Sequence, residues 1–447
     1  MLINLSLPES NGMEILLTIL YFLLFCLALY KIPFFRHIPG ISFRMLVTFF
    51  ALKVIAGISL ILIYTWYYDL EIADFHKYFK DGMVMYGAAK ENPLDYLRML
   101  TGIQSSADHL FPYYEKMDSW FRSWESPVYN DNRLVIRFNA LAGIFSFGYL
   151  HVHNIFINFL SLSGLVAIYR FMLRYTDTHR INWLPWGVFL FPGLLFWGSG
   201  ILKEGLLIFS FGFWVYFSDK LINRSSAVLR NILYLMFFSF LVVLLKPYTL
   251  AIWLPCAISF YVSRKYKASR IIFTYALVFS VFTLFMFLTE WITPLPDLPE
   301  IITRKQNDFV EHALALDAGS IIHTRYLEPG FWSFFSEFLK GLFNTLFRPH
   351  PLEAYSVFVG FAALENLIIW GMFVYALLYT DRKCIQKNPV FWLALIFSLF
   401  LMGFVGMVTP LHGAIVRYRI MALPFLWLAW IHASGLPVLK KISFPKI

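Results

Sequence analysis

Residues 44–81 read RMLVTFFALKVIAGISLILIYTWYYDLEIADFHKYFKD. Over 44–67 the stretch is apolar except for Arg44 at its start and Lys53 in its middle. It matches the ~20 apolar residues that a bilayer core requires. Beyond it the texture changes. Asp74 opens a polar segment, Tyr78 follows one helical turn later, and Asp81 lies two turns after Asp74 on nearly the same face. A membrane span that ends in a helix carrying carboxylates sets the theme for the whole chain.

Apolar runs of similar length recur throughout the 447 residues. The chain is 59% hydrophobic and 20% aromatic, and only 14% of it is charged, against roughly 25% in ordinary soluble domains. A soluble fold of this length needs more polar surface. The 49 Phe and 14 Trp suit lipid-facing surfaces and interfacial belts. The expected fold class is therefore all-α, a polytopic transmembrane protein forming one membrane domain over 1–447. Eleven spans are expected, at about 13–32, 44–67, 150–172, 183–198, 204–218, 229–245, 248–263, 271–290, 353–379, 390–408 and 414–433. The first basic residue, Lys31, follows the first apolar run and no small-residue cleavage site precedes it, so a cleavable signal is not expected.

The net charge of +10 is a topology signal and not a nucleic-acid footprint. With the N-terminus placed outside, the cytoplasmic connections are 31–44, 170–180, 219–230, 264–270, 381–387 and 440–446. They hold nineteen of the 37 basic residues and only Asp177, Asp219 and Asp381 as acids. Every second connection is basic, which predicts an N-out, C-in topology. Cys26 and Cys256 lie in apolar runs and Cys384 in a basic loop. They have no metal-type spacing and imply no disulfide framework.

Two long connections, 69–149 and 291–352, then fall outside. The first contains IADFHKYFKDGMVMYGAAK, DHLFPYYEKMDSWFRSW and NRLVIRFNALAGIFSFG, which read as helical pieces. The last of these is amphipathic and lacks acids, as an interfacial helix does. The second connection contains DLPEIITRKQNDFVEHALAL and GFWSFFSEFLKGLFNTLF, again helical and partly interfacial.

Ionisable groups at the ends of spans are costly and call for a reason. On the expected outer face they are Lys203 and Glu204 in FWGSGILKEG, Lys246 in LLKPY, Arg348 and His350 in LFRPHPLEAY, and His412, Arg417 and Arg419 in TPLHGAIVRYR. Tight outer turns need no cation for topology, and a ring of Lys, Arg and His suits a phosphate or diphosphate headgroup. Asp74 is the acidic counterpart. A carboxylate at the membrane boundary can act as a general base, and apolar walls around it are expected to raise its pKa.

Plainer readings stand beside these. Lys203 and Glu204 can form a local ion pair, Arg417 and Arg419 can snorkel to headgroups, and Lys246 can cap a turn. His412 can be structural, and Glu365, well inside a span, can be a structural hydrogen-bonding group. Lys305, Glu311 and Glu328 read as solvated loop charges.

DFHKYFKDG, FWGSGILKEGLLIF, LFRPHPLEAYSVFVGFAALENL and HGAIVRYRIMALPFL together resemble segments of the GT-C class of polytopic membrane glycosyltransferases, of the bacterial cell-surface polysaccharide type. The resemblance covers most of the chain in topology and short stretches in motif. In that class the Asp often follows the first span. Here it follows the second, and 13–32 reads as an appended helix. The resemblance implies Asp74 as the catalytic base of an inverting transfer. It implies Lys203, Arg348, Arg417 and Arg419 on the lipid phosphate, with Tyr78, Asp81, Glu204, Lys246, His350 and His412 as further substrate-binding candidates. Trp120, Trp124 and Trp332 can stack on sugars or anchor interfacial helices. The implied donor is a polyprenyl-phosphate-linked sugar and the acceptor a glycan, lipid or protein. No further cofactor, metal ligand or nucleic-acid partner is expected, and the implied location is a bacterial inner or plasma membrane. A polymerase or ligase using a polyprenyl-diphosphate glycan shares this chemistry. A lipid or solute transporter would instead place polar groups at midspan and show matching halves. Here Lys53 and Glu365 are the chief midspan charges.

Overall fold

The computed structural model describes residues 12–434 except 69, 122–128, 224–226, 267–269, 293–294, 316–319, 323–324, 354–355 and 381–384. Trp124, Asp381, Cys384 and the basic residues Arg224, Lys267, Arg382, Lys383, Lys440, Lys441 and Lys446 lie outside the described residues. Among the described residues the chain is helical, with two isolated antiparallel bridges and no strand.

Among the described residues, eight helices are long and apolar enough to cross a membrane. They are α1 (Gly12–Lys31), α2 (Phe43–Trp66), α6 (Leu150–Leu173), α7 (Lys203–Ile222), α8 (Val228–Leu245), α10 (Ile271–Leu288), α13 (Val357–Tyr379) and α14 (Pro389–Val408). The others used below are α3 (Asp74–Glu91), α4 (Pro93–Thr101), α5 (Asn132–Ser146), α9 (Pro247–Lys265), α11 (Leu298–Ala315), α12 (Phe331–Phe347) and α15 (Leu423–Ala433). A ninth apolar element is the pair His412–Met421 and Leu423–Ala433, bent by 62°. These nine correspond to nine of the eleven expected spans. Of the other two, 183–198 is divided into the short helices Leu184–Phe189 and Pro192–Trp197, with Leu190 and Phe191 between them. The expected span 248–263 is the single helix α9, which carries Pro255 in its interior.

The chain forms two compact units. The first comprises 1–123, 130–167 and 195–213, and the second 124–129, 168–194 and 214–447. The long helices α6 and α7 contribute residues to both.

In the first unit α3 and α5 pack face to face. Each buries apolar residues at helical spacing: Phe75, Tyr78, Phe79 and Met85 on one, Val135, Ile136 and Ala140 on the other. Gly82 permits this crossing, because a Cβ there would meet Asn139 Cβ at 2.5 Å. Local chemistry sets the helix ends. Asn92 caps α4 with Pro93 at its first position, and Gly102 ends it in the left-handed region. Ser42 caps α2 by accepting from the Met45 amide. A buried chain of side chains ties α5 to α6: His153 Nδ1 lies 2.8 Å from Asn139 Oδ1 and its Nε2 2.6 Å from Ser146 Oγ. All three residues are fully buried.

Lys53 in the middle of α2 has a local explanation. The turn between Trp197 and Lys203 leaves backbone carbonyls in an apolar setting. Lys53 Nζ donates to Gly198 O at 2.9 Å and lies 3.1 Å from Ser199 Oγ. Asn158 donates to Ser199 O and Ser161 to Gly198 O. Buried backbone carbonyls outside a helix require such partners.

In the second unit α12 and α14 meet through glycines. A Cβ on Gly406 would lie 2.1 Å from Gly341 O, so backbone approaches backbone. Below this contact lies a buried ion pair. Arg419 donates to Glu365 Oε1 at 2.7 Å and to Thr345 O at 2.6 Å, and Glu365 also accepts from the Gly193 amide. Arg419 and Glu365 are both essentially inaccessible to solvent.

Candidate functional site

The first unit gathers Tyr78, Asp131, Asn132 and Lys203. The start of α7 presents Lys203, whose Nζ is 2.9 Å from Asp131 Oδ1 and 5.6 Å from the centre of the Tyr78 ring. The Tyr78 hydroxyl donates to Asn132 Oδ1 at 3.0 Å. Thus α3, the start of α5 and the start of α7 converge on one polar cluster. The adjacent Lys203–Glu204 ion pair read from the sequence is replaced by Lys203–Asp131, since neighbouring helix residues point about 100° apart. Glu204 is buried.

Asp74 lies exposed in the first turn of α3, one turn before Tyr78. A helix N-terminus favours a carboxylate there. The expectation that apolar walls surround Asp74 is corrected: the buried carboxylate of α3 is Asp81. Asp81 accepts from the Asp118 and Ser119 amides at 2.8 Å each. Burial pushes its carboxyl up to about 6, against the lowering effect of those two amides. Asp81 thus clamps residues 118–119 to α3.

The second unit holds two basic groups. In one, Arg348 donates to Glu353 at 2.8 Å, the His350 amide donates to the other Glu353 oxygen at 3.1 Å, and the His350 ring lies 3.6 Å from Glu353. Burial works to raise the Glu353 pKa, and Arg348 with the His350 amide outweighs it, leaving the carboxyl below its ordinary value. Arg348 and Glu353 are also the charges that act on the His412 ring. His412 is buried, and its Nδ1 has no hydrogen-bond partner among the described residues. Its backbone is fixed by Ser320, and Ile322 donates to Pro410 alongside.

In the other group, Lys246 caps the junction of α8 and α9. Its ammonium sits 3.5 Å from the Tyr418 ring centre and 5.9 Å from that of Tyr248. Lys305 of α11 lies 5.6 Å from the same Tyr248 ring. Arg417 is half-buried next to Tyr418. Two lysines on one tyrosine form a cationic, aromatic patch suited to an anion beside an apolar group.

Arg419 leaves the candidate binding set, because Glu365 and the Thr345 carbonyl occupy it in the interior. Trp120 stacks on Tyr114 at 4.5 Å and under Arg133 at 4.8 Å, and so packs within the first unit. Trp332 is 77% exposed, as an interfacial anchor is. Asp131, Asn132, Tyr248, Tyr418 and Glu353 are members of these candidate clusters that sequence reasoning missed. Lys305 is exposed, in keeping with its reading as a solvated charge, and in addition lies beside the Tyr248 ring. YNDNR at 129–133, directly before an acid-free helix, was the available signal for the first two. Among the described residues, no group of three or more His, Cys, Asp or Glu has the arrangement to hold a metal ion. No protein family, curated protein or solved structure matches this chain.

Proposed function

We propose that this integral membrane protein transfers a sugar from a polyprenyl-phosphate-linked donor to an acceptor hydroxyl on the extracytoplasmic face. The main support is the Lys246–Tyr248–Lys305–Tyr418 group, in which two cations share one aromatic ring. A lipid phosphate presents an anion next to hydrocarbon, and cations on aromatic walls match both. In this reading the lysines, with Arg348 and Arg417, hold the donor phosphate and stabilise the negative charge that grows on it as the glycosidic bond breaks.

Asp74 is the proposed base. It is the carboxylate that the sequence puts forward, and it sits exposed in the first turn of α3. It would accept the acceptor hydroxyl proton as the new bond forms at the anomeric carbon and the lipid phosphate departs. A polymerase or ligase acting on a diphosphate carrier is favoured by one feature, the doubling of cations at Tyr248. Incubation of the purified protein with a monosaccharide-phosphate lipid and, separately, an oligosaccharide-diphosphate lipid tests both. Consumption of the first supports the proposal. Consumption of only the second turns it into the polymerase, and consumption of neither removes it.

A further inference from the structure

A lateral groove of about 280 Å³ lies in the second unit, walled by α13, α14 and α15. Its lining runs from Ile369, Leu395 and Leu426 within the helices to Thr380, Ile385 and Ala433 at or just beyond the helix ends, taken as its mouth. One wall, α13, turns Val374, Leu377 and Leu378 outward, each more than half exposed, so the groove borders the hydrocarbon of the bilayer. An apolar cavity of ~150 Å³ takes one benzene ring; this one therefore has room for about ten carbons of a chain.

The mouth is polar and basic. Lys387 is exposed next to Asn388, and Asn388 Nδ2 lies 3.0 Å from His432 Nδ1. Arg180 and Asp177 are the charges that act on the His432 ring. The Arg180 carbonyl accepts from the Trp183 amide, and the Trp183 ring packs 6.5 Å from that of Trp430. Trp430 lines the groove, and its buried Nε1–H has no acceptor among the described residues. Trp430 precedes Ser434 at the mouth by four residues, about 6 Å along a helix.

We infer that this groove binds one anionic glycerophospholipid, with an acyl chain between α13, α14 and α15 and the phosphate against Lys387 and Arg180. Two observations select this ligand. The basic rim over an apolar slot between spans matches an anionic headgroup above a chain. The Trp430 N–H calls for an acceptor just below the headgroup, where a glycerophospholipid carries ester carbonyls and a polyprenyl chain carries only hydrocarbon. The lipid seated there fills the groove between the three helices, and so braces the end of α13. The site is independent of the proposed transfer reaction.

The test uses full-length protein, delipidated in mild detergent and titrated with dioleoyl phosphatidylglycerol, dioleoyl phosphatidylethanolamine or a polyprenyl phosphate. Native mass spectrometry counts the bound lipid, and thermal unfolding checks each variant. One phosphatidylglycerol should be retained in preference to the other two. Lys387→Gln, at an exposed position, should weaken retention about fivefold with unchanged unfolding in detergent, the effect of one basic residue near a headgroup. Ala433→Phe should block the groove mouth and remove the preference. Equal retention of phosphatidylethanolamine, preferential retention of the polyprenyl phosphate, or wild-type retention by the Lys387→Gln variant would each overturn the assignment.

Discussion

Arg419 and Glu365 show at the residue scale how a charge survives in a span. Each alone would be an uncompensated buried ion. Together, with Thr345 O and the Gly193 amide, most of their bonding capacity is met. Removing one partner from such a pair costs about 3–5 kcal/mol, whereas replacing both with apolar residues costs far less. Glu365→Leu should therefore unfold well below the wild type in detergent, and Glu365→Leu with Arg419→Met should recover much of the loss. A double variant no more stable than the single one would show that the pair is not the cause.

Asp81 gives a pH test at the same scale. Its carboxyl is held up at about 6, above the ordinary 3.8. The folded state thus prefers the protonated form. The stability from this group is fully present below the ordinary value and is lost as pH rises through about 6. Thermal midpoints of the wild type should fall between pH 5 and pH 7.5 relative to those of an Asp81→Asn variant. Parallel midpoints for the two proteins across that range would contradict it.

At the scale of elements, close helix contacts are built on glycines. Gly406 lies against the Gly341 carbonyl, and a Cβ on Gly164 of α6 would lie 2.2 Å from Ile208 O of α7. Gly371, in α13, has open space around it. Gly406→Ala should cost about 1–3 kcal/mol through overpacking. Gly371→Ala should be neutral or stabilise by up to ~1 kcal/mol through helix propensity. Melting curves of the two variants decide; equal effects would mean that the contact is not backbone on backbone. The helix-forming runs themselves were legible in the sequence because ~20 apolar residues have few alternatives. The bend before α15 and the division of 183–198 were not. Both depend on how short helices pack, as where Trp427 fills the space beside Gly187.

At the scale of the whole molecule, the membrane class follows from composition, and the structure agrees with it through eight helices of spanning length. The candidate site was legible only in part. Lys203, Tyr78, Lys246 and Arg348 stood out because cations and polar groups beside apolar runs are costly. Of their partners, Asp131, Lys305 and Tyr418 lie far off in sequence and Tyr248 only two residues from Lys246, and all look ordinary where they stand. Arg419 looked like its neighbour Arg417, and only burial separates them. Orientation has its own test. Single cysteines introduced at Lys77 and at Lys387 should be labelled by an impermeant thiol reagent from the outside and the inside respectively. The reverse pattern would place Asp74 in the cytoplasm.

The proposed transfer stands or falls on one comparison. Purified wild-type protein and an Asp74→Asn variant are incubated with a radiolabelled polyprenyl-phosphate sugar and an acceptor glycan, and the released lipid phosphate is measured. Asp74 is exposed and lies in the first helical turn, so the variant should fold and bind donor as the wild type does. Acceptor-dependent release by the wild type, with loss of at least about a hundredfold in the variant, is the expected result for a general base. Equal release by both proteins would remove Asp74 from the chemistry, and no release by either would contradict the transferase assignment.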